Sequence, residues 1–115
     1  MKHISIEDMK SLSRKGDFAE YYAITWLWDK GWEVFKNCGC TGSVDLVAIS
    51  PNGYVKLIDV KTFQLDKRWK NPSWSSHVSR TPEQVRRGIQ ILGFNPATRK
   101  LRFVEHRNLN KRSRK

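Results

Sequence analysis

Three acids and one lysine stand out because of the company they keep. Asp45 interrupts the apolar run VDLVAI, Asp59 interrupts KLIDV, and Lys61 follows two residues later. Both runs read as buried strand, where an isolated ionised carboxylate costs several kcal/mol unless a cation accompanies it. Side chains alternate along a strand, so Asp59 and Lys61 share one face while Ile58 and Val60 take the other, and Asp45 can join them across a hairpin. Lys61 neutralises one carboxylate; the second calls for a divalent ion with hard oxygen ligands. Glu20 adds a third acid, because it lies on the helical stripe of Ile24 and Leu27, the side that should face a sheet. This set suits phosphodiester hydrolysis. That reaction needs a metal to polarise the phosphoryl oxygen and a water activated near neutral pH. A lysine beside the ion serves the water if the ion and burial lower its pKa.

The elements that must position these residues are legible in outline. Ser5 and Asp8 mark one helix start, and apolar residues recur at helical spacing from Asp17 to Lys30 until Gly31 ends the helix; Gly16 is a point where this region could kink or split. WEVF, VDLVAI and YVKLIDV are short β-prone runs separated by NCGCTGS and SPNG, and Ser50–Gly53 is short enough for an antiparallel hairpin. Residues 64–80 show no sustained period and read as a long surface loop. Thr81 then caps a short helix, with Pro82 at its first position and Gln84 three residues after the cap. The alternation of Ile89 and Ile91, followed by NPATRK and LRFVEH, predicts a second hairpin. The tail RNLNKRSRK has no apolar content to bury.

Charge and length bound what such a site acts on. With 115 residues the chain fits one domain. We read residues 1–106 as a single nuclease-type domain and 107–115 as a basic C-terminal tail. The net charge is +11 and the pI about 10.1, which points to a polyanionic partner. Residues 1–60 hold 7 Lys and Arg against 8 Asp and Glu, and residues 61–115 hold 15 against 3, so the whole excess follows Asp59. No long basic amphipathic helix, lipidation signal, apolar span or secretory signal is visible, which argues against a membrane and for a cytoplasmic or nucleoid-associated protein. Cys38 and Cys40 sit too close in sequence for an unstrained disulfide, and with His3, His77 and His106 they make no recognisable zinc pattern.

The order Gly16-x-x-x-Glu20, Gly42-x-x-Asp45-Leu46-Val47 and Asp59-x-Lys61 resembles the PD-(D/E)xK nuclease superfamily over residues 16–62. That superfamily includes restriction enzymes, Holliday junction resolvases and some homing endonucleases. The resemblance implies that Asp45, Asp59 and the Val60 carbonyl are metal ligands, that Glu20 completes the metal site directly or through water, and that Lys61 is the catalytic lysine. Val44 replaces the proline often found before the first motif aspartate, and Asp59 stands where glutamate is common.

Nucleic-acid contacts are expected from Lys67, Arg68, Trp69 and Lys70, which with Trp74 interleave cations and rings. Arg80, Arg86 and Arg87 are expected to clamp phosphate near a helix N-terminus. Gln84 reads equally as a substrate or water contact and as part of the Thr81 cap. Trp26, Trp28 and Trp32 read as core and helix-end packing.

These observations predict an α/β, restriction-endonuclease-like core: an N-terminal helix on a mixed, mostly antiparallel sheet, a later short helix and a basic C-terminal hairpin. The expected function is Mg²⁺-dependent DNA endonuclease activity, with Mn²⁺ as a substitute, of a site-specific homing or restriction-like kind and in a homodimer whose two-fold matches two cuts. A Holliday junction resolvase is the alternative. A noncatalytic basic nucleic-acid-binding protein explains the charge equally well, but leaves the inward-pointing acids without a reason.

Overall fold

The computed structural model describes residues 12–39, 42–67, 70–75 and 79–105. The expectations for Ser5, Asp8, His3, Cys40, Arg68, Trp69, His77, His106 and the tail 107–115 lie outside these.

Helix α1 (Leu12–Asp29) buries Ala19, Ala23 and Leu27, spaced four apart so that they form one stripe. It runs through Gly16 without a break: an exposed glycine costs a helix about 1 kcal/mol relative to alanine, too little to split one anchored by packing. Gly31, at φ +88°, ends the helix in the left-handed region, and the Trp32 N–H returns to the Leu27 carbonyl at 3.1 Å. Trp26 and Trp32 pack against the core, as expected, but Trp28 is 64% exposed because it falls off the buried stripe.

Seven strands follow among the described residues: β1 (Glu33–Lys36), β2 (Leu46–Ile49), β3 (Val55–Thr62), β4 (Gln64–Asp66), β5 (Ser73–Ser75), β6 (Gln90–Phe94) and β7 (Leu101–Phe103), with the short helix α2 (Pro82–Arg87) between β5 and β6. The main sheet has the order β1-β2-β3-β6-β7. All its neighbours are antiparallel except β3 and β6, which the crossover through α2 brings together in parallel. The expected loop at 64–80 instead contains a two-stranded hairpin, in which Leu65 pairs with Trp74. Its strands are only three residues each, too short to show a period in the sequence.

The core lies under α1, where Ala23 and Leu27 meet Leu46, Ala48, Ile58 and Leu92. Since Leu46 and Ile58 point towards α1, alternation turns Asp45, Asp59 and Lys61 to the opposite face of the sheet. That face meets α2 through Gln84 and the β4–β5 hairpin through Trp74.

Candidate active site

Asp45 immediately precedes β2, and its backbone N–H donates to the Ile58 carbonyl at 2.8 Å. Leu46 pairs with Ile58, and the Asp45 carboxyl lies within hydrogen-bonding reach of the Asp59 carboxyl. Asp45 Oδ2 accepts the Val60 N–H at 2.8 Å, filling the place that β2 vacates. In a strand the N–H and C=O of one residue point to the same side, so the Val60 carbonyl is directed into the same gap. Asp59 is 6% exposed. Its Oδ2 accepts from Gln84 Nε2 at 2.8 Å and lies 3.4 Å from Lys61 Nζ. Two carboxylates, a lysine and a backbone carbonyl thus converge where β2 and β3 part.

The electrostatics record the crowding of like charges. The Asp45 carboxyl is pushed up to about 7, first by burial, then by its hydrogen bond with the Asp59 carboxyl and by the charges of Asp59 and Glu20; the Val60 N–H pulls the other way. A cleft of about 180 Å³ opens beside Asp45, lined by Lys36, Asn37 and Val44 among others.

Glu20 is near enough for its charge to act on Asp45, but its carboxylate is paired elsewhere. It projects from α1, on the other side of the sheet from Asp59, and pairs with Lys36 Nζ at 3.1 Å. The Glu20 carboxylate holds the Lys36 ammonium above its usual value by hydrogen bond and charge. Lys36 was not foreseen: it ends a strand with no local motif, and only the packing of α1 beside β1 pairs it with Glu20.

Residues 15–107 match the family model for the nuclease-related domain, NERD. The chain belongs to the nuclease-related domain family. No curated protein matches it. Among solved structures, the bacterial homing endonuclease I-Ssp6803I is similar at a TM-score of 0.60 and 22% sequence identity, over 82% of this chain. The match spans 64% of that endonuclease's own chain. Family and fold together bear out the resemblance to the restriction-endonuclease-like nuclease superfamily and the mixed, mostly antiparallel architecture.

For a nuclease-related domain, the donor set fits a hard divalent ion. Two adjacent carboxylates and a carbonyl are the ligand types such ions take, and Ser43 Oγ is buried close by without a hydrogen-bond partner. As they stand, no three His, Cys, Asp or Glu side chains among the described residues are grouped to hold a metal. Glu20 is paired with Lys36.

The basic residues of this nuclease-related domain are placed unevenly. Lys67 and Lys70 are exposed on the β4–β5 hairpin. Arg80 does not stand free as a clamp: its Nη1 donates to the Ile89 carbonyl at 3.2 Å and ties the start of α2 to the start of β6. Arg86 and Arg87 occupy the last turn of α2, where they complement its carbonyl end rather than its N–H end, and Arg87 pairs with Glu83 at 2.9 Å. Gln84 is 7% exposed and works inward on Asp59 instead of lying on a DNA-facing surface.

Proposed function

We propose that the chain is a metal-dependent DNA endonuclease that uses Asp45, Asp59 and the Val60 carbonyl to hold Mg²⁺ or Mn²⁺, with Glu20 completing the set directly or through water. One observation carries the reading: the paired carboxylates of Asp45 and Asp59, with Lys61 beside Asp59, lie in a chain of a nuclease-related family. A bound divalent ion would polarise the scissile phosphoryl oxygen and ease deprotonation of the attacking water.

The chain's own groups do the rest. Lys61, half-buried and so reachable from solvent, orients the water and supplies positive charge to the phosphoryl group as negative charge builds there. Gln84 holds the Asp59 carboxylate in place, and the Val60 N–H does the same for Asp45. Attack at phosphorus with departure of the 3′-oxygen leaves 5′-phosphate and 3′-hydroxyl ends. The homing-endonuclease likeness favours site-specific cutting over junction resolution. A homodimer supplies the second active site for a double-strand cut. The chain is read as cytoplasmic or nucleoid-associated; among the described residues no helix is long and apolar enough to cross a membrane.

The test is incubation of the purified protein with supercoiled plasmid, linear duplex and a synthetic four-way junction, in Mg²⁺, Mn²⁺ or EDTA, beside Lys61→Ala. Metal-dependent cutting lost in the variant supports the reading, and faster cutting of the junction would favour a resolvase. Binding without cutting on every substrate, together with no metal uptake by calorimetry, would make the chain a plain binder.

A further inference from the structure

Lys61, Gly93 and Arg102 form one row across β3, β6 and β7, since Lys61 pairs with Gly93 and Gly93 with Arg102. Directly paired residues share a face, so Arg102 projects from the same face as Lys61, two strand spacings or about 10 Å away. The middle position is glycine because the Phe63 ring occupies the space of its side chain. The Arg102 guanidinium sits over that ring at 4.6 Å and donates to the Trp74 carbonyl at 3.4 Å. A guanidinium held against a ring and anchored at one nitrogen keeps its remaining donors fixed in direction.

Beside it opens a cleft of about 420 Å³, whose lining includes Phe63, Trp74, Asn95, Lys100 and Arg102. Ligand pockets run from about 300 to 1,000 Å³. The lining carries two cations, two aromatic rings and no acid. Asn95 Oδ1 is taken up by the Ala97 and Thr98 N–H groups, which leaves its amide nitrogen as a donor.

We propose that this cleft takes one unpaired nucleotide of the nucleic-acid substrate, with its phosphate on Arg102 and Lys100 and its base against Trp74, next to the strand that reaches Lys61. The inference rests on the nuclease reading above and specifies the substrate further. A perfect duplex turns phosphates outward and keeps its bases stacked, so it would use the cations and leave the aromatic recess empty. A base that has left the stack fills it.

The Lys61→Ala protein, expected to bind without cutting, is titrated with a perfect duplex and with the same duplex carrying one bulged 2-aminopurine. Stacking on an aromatic side chain is worth about 1–3 kcal/mol per base, so the bulged duplex binds about 5- to 150-fold tighter, and 2-aminopurine emission is quenched. Adding Trp74→Ala brings the ratio of the two affinities towards one, whereas Trp74→Phe retains most of it. Arg102→Gln weakens both complexes and lowers the salt slope by about one. Thermal melts confirm that each variant is folded, and the quenching needs no variant at this site. Equal affinity for both duplexes, unquenched emission, or a ratio unmoved by Trp74→Ala overturns the proposal. Plasmid cleavage by the unsubstituted protein is measured alongside. Cutting without a preference for the bulge overturns the cleft alone, and neither cutting nor binding overturns the nuclease reading as well.

Discussion

Gln84 Nε2 donates to Asp59 Oδ2 at 2.8 Å while Gln84 Oε1 accepts the Thr81 backbone N–H at 3.0 Å. One side chain therefore closes the cap of α2 and steadies a carboxylate of the candidate metal site. Nε2 also reaches the Ser43 carbonyl at 3.1 Å, so the loop before Asp45 is tied to the same residue. The cap read from the sequence is present, and the same side chain also holds Asp59, a contact the sequence did not assign.

The roles separate by substitution. Thr81→Ala removes the side-chain half of the cap and costs about 1 kcal/mol of stability. Gln84→Ala removes the Asp59 contact too, and loss of such an outer contact lowers metal affinity or activity by about 10- to 100-fold. Urea unfolding and metal-titrated cleavage, run on both variants, check this. Equal activity losses in the two would show that Gln84 acts only through the helix cap.

Stability of the metal-free protein falls as pH rises. The folded Asp45 carboxyl sits at about 7 against an ordinary 3.8, so folding favours the protonated form. Its contribution is fully present below about pH 4 and is lost as pH rises through about 7. In EDTA the melting temperature should be lower at pH 8 than at pH 5, and Asp45→Asn should flatten that part of the slope. Added Mg²⁺ should raise the melting temperature most at the higher pH, where the Asp45 carboxylate is ionised. A slope unchanged in Asp45→Asn would remove Asp45 as its cause.

Gly93→Ala is destabilising because a Cβ there runs into the buried Phe63 ring. Overpacking of this kind costs about 1–3 kcal/mol. Phe63→Leu in the same chain relieves the clash, so the two changes should be less than additive in a double-mutant cycle read by chemical denaturation.

The Glu20–Lys36 pair competes with any role of Glu20 at the metal. Lys36→Met frees the carboxylate, and the Mg²⁺ concentration giving half-maximal activity should fall severalfold, with matching tighter binding by calorimetry. If neither moves, Glu20 is a partner of Lys36 and not a ligand.

The chain's local chemistry was enough to establish α1, the β2–β3 hairpin, the capped α2 and the shared face of Asp59 and Lys61, because each depends on spacing within a dozen residues. Alternation set that face, and the short turn at Ser50–Gly53 brought Asp45 beside Asp59. Relationships between distant segments were decided only by the tertiary structure. Which side of the sheet α1 covers is a matter of packing, so nothing local could tell that Glu20 approaches from the face opposite Asp59 and meets Lys36. The parallel pairing of β3 with β6 is likewise a crossover property, and it alone sets Lys61, Gly93 and Arg102 in a row. The segment 64–80 showed no period because its strands are three residues long and are held by pairing with each other. Residue types and short spacings named most of the chemical groups. Long-range packing chose their neighbours, because contact across a sheet depends on register and on which faces are buried.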